Sequence, residues 1–126
     1  MANVMVTGAS SGLGAAIAKQ FASRGDSLIV VARRESLLEN LQAELFTVGA
    51  ASAECRVVDL ADVEQVQKLA DELPKLGIDV LINNAALGHW DYTWDTTSEM
   101  MRSMIAVNVS AVAMLTAAFS QLKHQQ

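Results

Sequence analysis

A doubly wound α/β fold, a parallel sheet with helices on both faces, is what this sequence predicts. Three observations carry that reading. Short, continuous apolar runs (Val4-Met5-Val6, Leu28-Ile29-Val30-Val31, Val80-Leu81-Ile82) mark strands buried on both faces. Stretches with apolar residues at helical spacing separate them. A glycine-rich turn, TGASSGLG at 7–14, joins the first strand to the first helix.

The elements follow in order. After Val4-Met5-Val6, residues Ala15, Ile17, Ala18, Phe21 and Ala22 form a helical stripe, with Gly25 where a C-terminal cap belongs. The second strand is followed by Leu37, Leu38, Leu41 and Leu45, a helix ending near Gly49. Cys55 to Val58 reads as the third strand. Asp62 with Gln65 resembles a capping box, opening a helix with Val63, Val66, Leu69, Ala70 and Leu73 on one face. Pro74 and Gly77 are expected to stop it. After the fourth strand comes a long aromatic loop over 84–95, then Thr96 with Glu99 as a second capping box. The last helix carries Met100, Met101, Met104, Ile105, Val109, Val112, Leu115, Phe119 and Leu122. Four strand–helix units with right-handed crossovers give one domain over 1–126, with no repeat or linker.

Bulk properties narrow the function. Hydrophobic residues make up 52% of 126, which excludes a disordered chain. A net charge of −5 argues against nucleic acid or an anionic membrane as the main partner. No run reaches the roughly 18 apolar residues of a span. Cys55, the single cysteine, reads as a small buried residue in a reducing compartment. The N-terminus lacks a basic, cleavable leader, so a soluble cytoplasmic protein is expected. No metal-ligand set is read from the sequence.

The glycine turn carries the chemistry. Glycine permits positive φ and brings backbone N–H groups close to a ligand. The helix that follows offers unpaired N–H groups and a positive dipole end to a pyrophosphate. No Gly-Lys-Ser/Thr follows, so this is not a P-loop.

The order TGASSGLG, ARR after the second strand, DL after the third, NNA after the fourth and VN in the next helix resembles the short-chain dehydrogenase/reductase family. The resemblance covers the whole chain but about half of a typical member. It implies a Rossmann fold with strand order 3-2-1-4, truncated after the helix that follows strand 4. It also implies an oxidoreductase that interconverts a carbonyl and an alcohol. By that resemblance Gly8, Ser10, Ser11, Gly12, Leu13, Gly14, Arg33, Arg34, Asp59, Leu60, Asn83 and Ala85 contact the cofactor. Asp59 would accept from the adenine amino group, with Leu60 beside the ring. Ala86 stands where the family usually has glycine.

An NAD site tends to carry an acid about 20 residues past the last motif glycine. Arg33 stands there instead. A guanidinium pairs with a 2′-phosphate that an acid would repel, so NADP is favoured over NAD. The resemblance assigns the phosphate to Arg33, helped by Arg34 and Ser10. A methyltransferase, which also has a glycine loop, would place an acid in this region.

Carbonyl reduction needs a proton donor. The family supplies it from a Ser and a Tyr-x-x-x-Lys pair, with an asparagine one helix earlier. Asn108 matches that asparagine. The single tyrosine, Tyr92, has Thr96 rather than lysine four residues on. His89, Trp90, Asp91 and Trp94 read as a packed aromatic loop rather than an improvised site. A non-catalytic dinucleotide-binding module is therefore the rival reading. Without a fifth strand, the fourth-strand edge and the helix over 109–122 are expected to self-associate.

Overall fold

The apolar runs become strands and the helical stripes become helices, in the order β1 (Asn3–Thr7), α1 (Gly12–Ser23), β2 (Ser27–Ala32), α2 (Glu35–Val48), β3 (Ser52–Val57), α3 (Val63–Leu76) and β4 (Val80–Ile82). A short 3₁₀ turn, Thr93–Asp95, precedes α4 (Ser98–Ile105), which runs through a π-helical turn, Ala106–Ser110, into α5 (Ala111–His124). This computed structural model describes residues 1–10, 12–88 and 92–125. The expectations for Ser11, His89, Trp90 and Asp91 lie outside the described residues.

All pairings are parallel and the sheet order is β3-β2-β1-β4, as expected. The register sets Val4 opposite Leu28 and Val80, and Met5 opposite Ile29 and Leu81. Alternation then divides the core. Val4, Val6, Leu28 and Val30 pack with Ala18, Ala22, Leu38, Leu41 and Leu45 of α1 and α2. Met5, Ile29 and Val31 pack with Val66, Leu69, Leu73, Ala111 and Leu115 of α3 and α5. Val4, Met5 and Val6 are fully buried, each worth about 1.5–3 kcal/mol of apolar transfer. A strand covered on both faces has no polar alternation to show.

Three boundaries and one hydropathy reading differ from expectation. The third strand starts at Ser52, not Cys55. It is an edge strand with one face partly exposed, which accepts Ser52, Glu54 and Arg56 and hides the apolar signal. Pro74 lies inside α3 rather than ending it. It forfeits one backbone bond in the last turn. The stop comes from Gly77, in the left-handed conformation at φ 60°. The cap of α4 is Thr97, whose hydroxyl accepts the Met100 N–H at 3.1 Å, not Thr96. Finally, the continuous helical stretch Ser98–His124, 27 residues, is long and apolar enough by length and composition to cross a membrane. Asn108, Ser110 and Thr116 break the apolar run but not its average hydropathy. Ala111 and Leu115 bury one stripe of this helix against the sheet and α3.

Asp62 caps α3, but the reciprocal half of the box does not form, since the Asp62 N–H bonds the Asp59 carbonyl at 3.0 Å. Asp62 Oδ1 accepts the Glu64 N–H at 3.0 Å, and Gln65 Nε2 donates to Asp62 Oδ2 at 3.1 Å. Gln65 Oε1 in turn accepts the Asp59 N–H at 2.8 Å, tying the loop after β3 to α3. Cys55 is half-buried. Burial, with Glu39 and Glu35 nearby, raises its thiol above the ordinary value, which favours the neutral form.

Candidate functional site

In a parallel sheet every strand ends at the same edge, so the loops after β1, β2, β3 and β4 gather there. They enclose a groove of about 260 Å³. Its glycine-turn side is Gly8 and Ser10, its β2 end Ala32, Arg33 and Arg34, and its β3 end Val58, Asp59, Leu60 and Ala61. Ala85, Ala86 and Leu87 close it after β4, with Ser103 and Val107 from the helix above. Seven residues expected at the site thus share one cavity: Gly8, Ser10, Arg33, Arg34, Asp59, Leu60 and Ala85.

Each glycine of the turn answers a separate demand. Gly8 has φ 64°, and a Cβ there would meet Ala85 Cα at 2.7 Å. Gly12 has φ 59° and opens α1, with free space around any added Cβ. Gly14 is not a wall of the groove but its floor support. It is buried, and a Cβ would run into the Gly8 carbonyl oxygen and Asn84 Nδ2. Leu13 is 69% exposed in the first turn of α1 and outside the groove's lining.

Thr7 holds the turn against β4. The residue is buried, and its hydroxyl donates to the Ile82 carbonyl at 3.4 Å. It accepts the N–H groups of Asn84 and Ala85, each at 3.1 Å. One donor and two acceptors use the hydroxyl's full capacity. The Asn84 side chain then donates to the Gly8 carbonyl at 3.1 Å. Thr7 and Asn84 were not singled out as site residues from sequence. A hydroxyl directly before the first motif glycine is the signal that marks Thr7.

The other asparagines go elsewhere. Asn83 was expected to face the cofactor, but its Nδ2 donates to Thr116 Oγ1 on α5 at 3.0 Å, and it does not line the groove. Both residues follow the end of β4, where the Asn84 N–H turns back to the Ile82 carbonyl at 3.1 Å, and the two side chains leave that turn toward different partners. Asn108 sits in the π-helical turn, and its amide makes two bonds to one residue. It donates to the Leu87 carbonyl and accepts the Leu87 N–H, both at 2.8 Å. That pairing pins the groove's β4 loop to the helix.

The electrostatics are asymmetric. Arg33 and Arg34, both exposed, place two guanidinium groups at one end. Asp59 stands after β3, and its Oδ1 accepts the Ala61 N–H at 3.0 Å, which fixes the carboxylate's direction. A polyanion with a polar heterocycle fits this layout: backbone amides and α1 for phosphates, guanidinium groups for a further phosphate, an acceptor for an amino group. A larger hollow of about 480 Å³ between α3 and α5 has neither glycines nor arginines. Among the described residues no cluster of His, Cys, Asp and Glu forms a metal site.

Known proteins agree with this geometry. The family model for short chain dehydrogenases matches residues 2–126. The chain is 35% identical to dehydrogenase/reductase SDR family member 7B of Xenopus tropicalis, covering 98% of this chain and 43% of that protein. It is 34% identical to the very-long-chain 3-oxoacyl-CoA reductase of Kluyveromyces lactis, over 91% of this chain and 34% of the relative. It superposes with a TM-score of 0.89 on a short-chain dehydrogenase from Sphingobium yanoikuyae in complex with NADPH, at 34% identity, covering 94% of this chain and 46% of that one. A metagenomic short-chain oxidoreductase in complex with NADP gives a TM-score of 0.87 at 31% identity, covering 96% of this chain and 56% of that one. The chain thus spans less than half the length of the curated relatives it matches.

Proposed function

The chain belongs to the short-chain dehydrogenase family, and from that premise we propose that it is the nucleotide-binding portion of an NADP-dependent oxidoreductase interconverting a carbonyl and an alcohol. The observation that carries the cofactor preference is Arg33 and Arg34 sharing one groove with Ser10. A 2′-phosphate needs a charge-assisted, bidentate partner, and an acid at the end of β2 would repel it. Two structural neighbours hold NADPH and NADP, which supports the same reading.

When bound, the cofactor supplies the hydride. The chain's own residues seat it. Gly8 and the opening turn of α1 present backbone N–H groups to phosphates, and Thr7 and Asn84 hold that turn in place. Asp59 and Leu60 receive the base. Asn108 fixes the loop bearing Leu87. The proton donor expected of the family, Ser with Tyr-x-x-x-Lys, is not among these 126 residues. The chain is therefore expected to bind cofactor while reducing carbonyls negligibly. We also infer self-association through the β4 edge or the helix over 109–122.

Calorimetric titration with NADPH and NADH tests the assignment. NADPH should bind at least about tenfold tighter, the worth of one charge-assisted contact. Arg33→Asp should abolish the difference. Equal affinity for the two nucleotides, or a preference that survives Arg33→Asp, sinks the NADP reading. Binding of neither favours a module that has lost its nucleotide.

A further inference from the structure

The turn between β3 and α3 carries Asp59 and Leu60 into the groove, and Gln65 holds that turn from outside it. Gln65 is half-buried in the first turn of α3 and does not line the groove. Its Oε1 accepts the Asp59 N–H at 2.8 Å, and its Nε2 donates to Asp62 Oδ2 at 3.1 Å. The partners fix the direction of the amide. A backbone N–H only donates and an ionised carboxylate only accepts, so the group between them must offer an acceptor and a donor at once. Glutamine does this, whereas glutamate would set a second carboxylate against Asp62.

Further bonds complete the turn. The Asp62 N–H donates to the Asp59 carbonyl at 3.0 Å, closing a four-residue turn over 59–62. The Ala61 N–H donates to Asp59 Oδ1 at 3.0 Å. Asp59 is therefore bonded at its N–H, its carbonyl and one carboxylate oxygen. Among the described residues no donor is bonded to Oδ2, so this is the oxygen left to meet an amino group.

On the reading of the groove as a seat for an adenine dinucleotide, we propose that Gln65 is a positioning residue for recognition of the adenine amino group. By tying the Asp59 N–H to the cap of α3, it aims the remaining carboxylate oxygen of Asp59 at the base. A short side chain moves with its backbone, and a shift of about 1 Å takes Oδ2 out of hydrogen-bond range. The Ala61 bond does not prevent such a shift, because Ala61 belongs to the same turn and moves with it. Gln65 stands on α3, where its neighbours Val66 and Leu69 are buried in the core beside Met5 and Ile29 of the sheet. The clamp thus ties the base-reading carboxylate to the rigid part of the molecule.

Calorimetric titration with NADPH and with its deamino analogue, which carries a carbonyl oxygen in place of the adenine amino group, tests this. The parent should bind NADPH at least about tenfold tighter, because Asp59 Oδ2 meets an acceptor instead of a donor in the analogue. Gln65→Met keeps the length and helix propensity of the side chain but makes neither bond. It should bring that ratio to within about twofold of unity, while the NADPH-to-NADH ratio set at Arg33 stays as in the parent. A loss of folded protein scales the apparent affinities for both nucleotides alike, so the ratio reports the aim of Asp59 and not stability. Asp59→Ala should also abolish the ratio, and adding Gln65→Met to it should change the ratio no further. A parent indifferent to the amino group, or a Gln65→Met ratio equal to the parent's, overturns the proposal even where the Arg33-dependent preference stands. If the NADPH-to-NADH preference is absent but the amino-group ratio collapses in Gln65→Met, the clamp stands and the 2′-phosphate reading fails. Binding of no nucleotide by the parent overturns both.

Discussion

At the scale of single residues, the glycine turn is governed by what each missing Cβ avoids. Gly14 and Gly12 are two positions apart, yet their environments differ. A side chain at Gly14 would collide with the Gly8 backbone and the Asn84 amide, whereas one at Gly12 would meet open space. Backbone cannot swing aside as a flexible side chain can. Gly14→Ala is therefore expected to cost about 3 kcal/mol or more, enough to unfold much of the population of a marginal domain. Gly12→Ala pays for its positive φ alone, about 1–2 kcal/mol. Urea denaturation of the two variants checks this. Equal midpoints would mean the turn is looser than its packing implies. The same logic ranks Asn84 above Asn83 at the site. They are sequence neighbours, but one bonds the Gly8 carbonyl and the other bonds α5.

At the scale of elements, caps and edges decide where helices and strands end. The α3 cap is the clearest case. Hydrogen bonds from the Gln65 side chain, then from its backbone N–H, hold the Asp62 carboxyl below its ordinary value of 3.8. A folded value below the unfolded one means the ionised cap stabilises the fold above pH 3.8, and that this contribution fades as pH falls through the lower, folded value. Asp62→Ala should lower Tm by a few degrees at neutral pH, and the gap between variant and parent should shrink below about pH 4. A gap constant from pH 7 to pH 3 would show that the cap's charge contributes nothing. The helix α4–α5 shows the opposite kind of control. Its π-helical turn places Asn108 where its amide closes both Leu87 bonds, so a local irregularity aligns the helix with the groove loop.

At the scale of the whole molecule, the two sheet edges are unlike. β3 carries Glu54 and Arg56, with Arg56 paired to Glu54 and Glu72, a charged edge that resists further pairing. β4 is Val80-Leu81-Ile82, half-buried and without a charge. On the helix α4–α5, Met101, Ile105 and Val109 expose 45%, 54% and 60% of their surface along one helical stretch. Apolar surface at that spacing favours association. Sedimentation velocity of this chain should show concentration-dependent oligomers at micromolar levels. Ile105→Glu with Val109→Glu should shift them toward monomer while leaving NADPH affinity unchanged. A monomer across that range would refute the association.

The sequence by itself determined the fold class, the caps at Asp62 and Gly77 and the family, and the strand order followed only as what the family resemblance implies. Each rests on local periodicity or on a short motif whose residues act within a few positions of one another. The family resemblance also singled out half of the groove's lining, and the parallel sheet makes that possible because the residue after each strand is delivered to one edge. Only the tertiary structure decided which side chains of that edge face the groove. The roles of Thr7 and Asn84, the turning of Asn83 toward Thr116, the Asp26 bond to the Ala2 N–H and the Asn108–Leu87 pairing all join residues at least 21 positions apart. Contacts of that kind leave no period in a chain, since they exist only once the sheet has brought distant ends together.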